Sequence, residues 1–119
     1  MPEDEKAAQA DSRLLFEVTL PVRLDRIPTM GEELVENTIA EVIGPGGAIV
    51  RSSMALDKGE IIRFQLGSYE TRAEVQYISS GLGRGMDGIQ RLGLSFLDAP
   101  LPVALIPTDA RLLPAAGRG

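Results

Sequence analysis

The chain has no cysteine, no histidine and no tryptophan. Without thiol or imidazole ligands it cannot assemble ordinary zinc, copper, haem or iron–sulfur sites. A Ser-His-Asp or Cys-His nucleophile pair is equally excluded. Acid–base chemistry would rest on Asp, Glu, Lys or Tyr alone. No disulfide is possible, and at 119 residues none is needed, because a domain of this size buries about two-thirds of its unfolded surface. Aromatic residues are also scarce: three Phe and two Tyr, so Leu, Ile and Val must fill most of any core. No apolar h-region opens the chain and no hydrophobic run reaches membrane-spanning length, so a cytoplasmic protein without membrane insertion is expected.

Twelve basic residues stand against seventeen acidic ones, a net charge of −5. An acidic chain repels a polyanion, which argues against DNA or RNA as a partner. Most of the basic residues are arginines, which count as anion-binding groups only where they cluster.

What is present is alternation. Phe16, Val18, Leu20, Val22 and Leu24 share one face; Glu17, Thr19, Arg23 and Asp25 share the other. That period of two defines a half-buried strand. Pro21 on its polar face marks an edge or a bulge. After a turn over residues 27–31, the same reading gives strands over Val35–Ile43, Ala48–Arg51, Ile62–Leu66, Thr71–Tyr77 and Leu92–Phe96. In the fifth, Thr71, Ala73, Val75 and Tyr77 form the apolar face. Gly and Pro clusters separate the strands, above all Gly44-Pro45-Gly46-Gly47. No window carries a convincing amphipathic helix. The expected architecture is all-β: a small six-stranded antiparallel β-barrel. Residues 1–12 read as a disordered acidic segment, 13–97 as the barrel and 98–119 as a Pro-rich C-terminal tail. Within the tail, Thr108–Leu113 is the one stretch suited to a helical turn, with Thr108 as N-cap.

Motifs with chemistry in them are few. Gly83-Arg84-Gly85-Met86-Asp87-Gly88 matches G-x-G-x-x-G, but a dinucleotide fingerprint must open a helix, and a strand pattern follows it here. Glu32, Glu33 and Glu36 read as a solvated acidic loop. Arg23 and Arg26 around Asp25 read as an exposed, charged strand tip. No metal site and no catalytic group is expected.

The stretch Val42-Ile43-Gly44-Pro45-Gly46-Gly47-Ala48-Ile49-Val50-Arg51 is strand, tight turn, strand. With Leu56-x-x-Gly59 before an alternating strand and Gly93-Leu94-Ser95-Phe96 as a closing strand, it resembles the PilZ domain family over about residues 12–97. That resemblance implies a bacterial signalling module of six-stranded barrel fold that binds cyclic di-GMP. The family's D/N-x-S-x-x-G motif, aligned on Gly47, places its Asp/Asn on Val42 and its Ser on Gly44. Its R-x-x-x-R stretch places the last arginine on Arg13 and the first on Gln9. Of the ligand positions only Arg13 and the structural Gly47 are kept; Gln9, Val42 and Gly44 are degenerate. Glu41 adjoins Val42, but strict alternation turns it to the opposite face. Losing each partner of a base costs about 1–3 kcal/mol. The resemblance therefore implies a non-enzymatic adaptor with a degenerate nucleotide site, acting by contact with a protein partner, with cyclic di-GMP at most a weak ligand and no cofactor. The alternatives are a working cyclic di-GMP receptor with an atypical site, and an unrelated small barrel serving as a subunit of a larger complex.

Overall fold

The computed structural model describes residues 14–26, 33–80 and 89–113. Seven strands follow in chain order: β1 (Phe16–Arg26), β2 (Leu34–Gly44), β3 (Gly47–Ser52), β4 (Ile61–Leu66), β5 (Tyr69–Ser80), β6 (Gln90–Phe96) and the two-residue β7 (Arg111–Leu112). All pairings are antiparallel, in the order β2-β3-β6-β5-β4-β1-β7. Because β1 also pairs with β2, the first six close into a barrel, and β7 is an appendage on β1. No α-helix occurs among the described residues. The six-stranded antiparallel barrel expected from the alternation is the fold found.

Inward positions follow the predicted apolar faces: Val22 and Leu24 on β1, Ala48 and Val50 on β3, Ile62, Phe64 and Leu66 on β4, Leu92 and Leu94 on β6. Three of the five aromatic rings meet in the core, Phe64 lying 4.9 Å from Phe96 and 6.4 Å from Tyr69 between ring centres. Pro21 pairs with Ile39 on one flank only. On its other flank β1 has no ladder partner between Glu17, where β7 stops, and Arg23, where β4 begins. A residue without an N–H is tolerated there.

The pairing of β1 with β2 slips between Glu17 and Leu20 without breaking the alternation of Phe16–Leu24, whereas two other strands depart from strict alternation, for one reason. The pairing of β2 with β3 slips by one residue between Ala40 and Val42, and that of β5 with β6 slips between Val75 and Tyr77. Each slip is a β-bulge, the usual device for bending a strand around a barrel. Ala40 and Ile43 are both fully buried, so Glu41 and Val42 both face outward. Likewise Ala73 and Val75 are fully buried, Ile78 resumes the inner face, and Tyr77 turns outward at 45% exposure. The expected apolar face of β5 is thus corrected at Tyr77, and the expected opposition of Glu41 to Val42 is corrected as well.

The turn between β2 and β3 falls on Pro45-Gly46, with Gly44 paired to Gly47. Among the described residues positive φ occurs only at Gly59 (+91°) and Gly67 (+59°), so Gly47 is not held by its dihedral angle. Its requirement is space: a Cβ there would be driven into the backbone carbonyl of Leu94 on β6.

Beyond β6 the chain crosses one end of the barrel. Asp98 is bound to β5, accepting from the Arg72 backbone N–H (2.9 Å) and from the Arg72 guanidinium (2.9 Å). Tyr69 Oη donates to the Ala99 carbonyl at 2.6 Å, and the Leu101 N–H donates to that of Pro45 at 3.0 Å. Leu101 and Ile106 are buried and join the core. Among the described residues the only helical turn is a 3-10 turn over Val103–Leu105, ended by an extended Ile106 before Pro107. The helical turn expected over Thr108–Leu113 is not formed. Arg111–Leu112 instead pairs with Phe16–Glu17, and the Leu113 N–H donates to Leu15 at 2.8 Å. Leu113 precedes Pro114, which disfavours helical backbone there, while the edge of β1 offers a ladder partner.

The expectations for residues 1–13, including Gln9 and Arg13, for the turn at 27–31, for the glycine-rich stretch 81–88 and for residues 114–119 lie outside the described residues.

Two outcomes follow from the packing. Truncation after Leu97 removes two buried aliphatic side chains, worth about 3–6 kcal/mol together at about 1.5–3 kcal/mol each. Against a typical total of about 5–15 kcal/mol, the truncated chain should aggregate or lose its cooperative thermal transition; a stable truncated monomer would contradict the capping role. Gly47→Val should destabilise by about 1–3 kcal/mol through overpacking against Leu94, and an unchanged urea midpoint would show that β6 yields at no cost.

Candidate functional site on the outer barrel face

A groove of about 780 Å³ lies outside β1 and β2. Glu17, Thr19, Ile39 and Val42 line it, with Glu41 and Arg51 at one wall and Pro107 to Leu113 contributing the other. Val42 therefore stands on the outer surface, where the aligned motif requires a ligand-facing side chain. Gly44 does not offer the equivalent space. A Cβ at Gly44 would run into the Leu14 carbonyl oxygen, with the Leu15 side chain 3.2 Å away. The motif's serine position is thus sealed by the chain's own backbone.

Beside the groove, Arg51 on β3 and Arg91 on β6 are directly opposite each other in the ladder. Like charges facing across a strand pair are destabilising unless something lies between them. Glu41 supplies it: its Oε2 accepts from Arg51 Nε at 2.5 Å and its Oε1 from Arg91 Nε at 2.6 Å. The hydrogen bond from Arg91 leads in holding the Glu41 carboxyl below its ordinary range, and Glu41 in return raises Arg91. Glu41 faces outward by alternation from the buried Ala40, and the bulge that follows turns Val42 outward as well while keeping Ile43 in the core.

The next row of the same face runs from Val42 through Ile49 and Gly93 to Tyr77. Gly93 has no side chain because the Tyr77 ring lies on it; a Cβ there would sit among the ring carbons. Two arginines, one carboxylate, Ile49 and a half-exposed ring form one continuous strip.

Several other charged groups are engaged within the fold. Asp25, expected at an exposed strand tip, is only 6% exposed. It accepts from Arg23 Nε at 2.9 Å, and Arg63 lies 3.8 Å away on β4, so two long side chains cover it. Arg26 pairs with Glu60 at 2.8 Å. Of the expected acidic loop, Glu36 is fixed by Ser52 Oγ at 2.7 Å and by the Ser53 N–H at 2.8 Å. The strands flanking Gly83–Gly88 are β5 and β6, so no helix follows that glycine pattern. Among the described residues no buried side-chain polar atom lacks a partner, and no group of three or more acidic residues is placed to hold a metal ion. No helix among them is long and apolar enough to cross a membrane.

The small antiparallel barrel is the class this chain's fold defines. Compared with known proteins, the chain matches no family model, no curated protein and no solved structure.

The triad was illegible in the sequence, because Arg51 and Arg91 are forty residues apart and meet only through the β3–β6 ladder. Tyr77 beside a strand glycine carried a signal, but only once the β5 bulge was known.

Asp98 gives a pH-dependent handle on the barrel end. The Arg72 guanidinium and backbone N–H lower its carboxyl from 3.8 to about 2. A depressed folded-state value means that its stabilisation is present above about pH 4 and is lost as pH falls through about 2. Asp98→Asn should flatten the dependence of melting temperature on pH between about 4 and 2; a variant with the parent's slope across that window would contradict it.

Proposed function

We propose that this chain is a PilZ-like, non-enzymatic barrel module with a degenerate nucleotide site, working by contact with a protein partner. The observation that carries the reading is the state of the two aligned motif positions. Val42 presents only methyl groups to the groove, and the space beyond Gly44 is filled by the Leu14 carbonyl. A guanine edge placed there would lose its hydrogen-bond partners and leave its own polar groups desolvated, at about 1–3 kcal/mol each. The absence of an enzymatic role in this reading draws support from the carboxylates, since Glu36, Glu41, Glu60 and Asp98 are each held by hydrogen bonds within the fold.

One observation favours the second reading, a cyclic di-GMP receptor with an atypical site. The bulge sets Glu41 on the same face as Val42, and Arg51 lines the same groove. Glu41 is, however, already engaged by two guanidinium groups.

Calorimetric titration with cyclic di-GMP separates the readings. Binding weaker than about 1 μM, or none, is expected; a tighter constant, equivalent to more than about 8 kcal/mol, would overturn the degenerate site and favour the receptor.

A further inference from the structure

The outer strip across β3, β6 and β5 carries charge opposite in sign to the chain's net charge. The chain as a whole carries −5, yet here two guanidinium groups share one carboxylate, leaving a local excess of one positive charge. Each arginine reaches Glu41 through Nε. Among the described residues the terminal Nη groups of Arg51 and Arg91 meet no further carboxylate, and their side chains are 47% and 44% exposed. One row away, Tyr77 is fixed flat on Gly93 and 45% exposed. Ile49 lies between this ring and the groove.

We propose that Ile49, Arg51, Tyr77 and Arg91 form a docking face for an acidic segment of a partner protein, whose carboxylate joins or displaces Glu41 between the two guanidinium groups. This deepens the protein-contact reading above and rests on it. Three features select a protein segment as the occupant. The face is an open strand surface, whereas small ligands are usually enclosed in a concave pocket. Tyr and Arg are the residue types that dominate the energetics of protein interfaces. The ring pays little conformational entropy on binding, because Gly93 already holds it in place. The charge complementarity is specific: guanidinium Nη groups donate to planar carboxylates bidentately, while the chain's net charge of −5 disfavours an acidic partner elsewhere. Glu41 serves as a resident competitor. It keeps two facing arginines from destabilising the empty barrel, and it sets a threshold that a single weak anion does not pass.

The test uses the full chain and two synthetic peptides, one alternating Glu and Leu over nine or so residues and the other with Gln replacing Glu. Backbone amide NMR shifts are followed during titration. The acidic peptide should shift Ile49, Arg51, Tyr77, Arg91 and Gly93, the Gln peptide should not, and the effect should weaken as salt is raised. Arg51→Gln with Arg91→Gln should weaken the acidic peptide at least tenfold. Should that double variant fail to fold, Glu41→Gln alone decides: removing the competitor should tighten the peptide about threefold or more, and an unchanged or weaker affinity overturns the proposal. Shifts centred elsewhere, or equal effects of both peptides, also overturn it. So does inorganic phosphate that reproduces the shifts at the same concentration, which would make the face a small-anion site. An acidic peptide that binds nowhere defeats this proposal alone, whereas sub-micromolar cyclic di-GMP defeats the reading on which it rests.

Discussion

Closing six strands into a barrel forces the strands to bend, and a strand bends most cheaply by admitting an extra residue. That constraint governs the surface of this molecule as much as its core. The bulges in β2 and β5 each keep an aliphatic side chain inside, Ile43 in one and Ile78 in the other, while turning two consecutive residues outward. Glu41 with Val42, and Gln76 with Tyr77, are the pairs released. The outward Val42 beside Glu41 and the outward ring of Tyr77 derive from those two parity changes, while Arg51 and Arg91 face outward by the plain alternation of β3 and β6. Without them Val42 would enter the core and Tyr77 would sit beside Val75.

The core is thin in aromatics, and the barrel compensates by closing its end with the chain beyond β6. Leu101 and Ile106 complete the apolar interior that Phe64, Tyr69 and Phe96 begin. Burial raises the Tyr69 hydroxyl, which nonetheless stays satisfied by donating to Ala99. The hydrogen bonds of Asp98 to Arg72 and Thr71 fix the crossing at its start. Exposed pairs of this kind contribute little singly; here they act by ordering the backbone that carries Leu101 inward.

Much of the fold was legible because the sheet's period of two is written directly into β1, β4 and β6. Phe16 to Leu24 and Ile62 to Leu66 could be placed on their faces without any tertiary knowledge. Three kinds of information were not local. A bulge leaves no mark in a six-residue window, so Tyr77 was assigned to the core by its neighbours Ala73 and Val75. The Arg51–Arg91 encounter depends on strand order, which alternation does not encode. The extended conformation of Arg111–Leu112 depends on a free edge of β1 that exists only after closure. Gly47 shows the opposite case: the sequence rightly demanded a glycine, but the physical demand is the approach of Leu94, not a left-handed backbone.

Under the proposed reading, one outer face lacks a nucleotide site and still favours recognition. A site for a base needs hydrogen-bonding groups at fixed points in a concave wall, and losing two of them forfeits most of the affinity. A docking face needs an anchored ring, a compensated charge and room for a strand-like partner, none of which depends on Val42 or Gly44. The Leu14 carbonyl lies against Gly44 at the β2–β3 turn, while Arg51 and Arg91 pair four residues beyond Gly47 and Ser95 along β3 and β6. With a rise of about 3.3 Å per residue, roughly 13 Å separate the two regions. A side chain at Gly44 would therefore meet the Leu14 carbonyl without touching the arginine triad, whereas Val42, next to Glu41 and paired with Ile49, borders the proposed docking face directly.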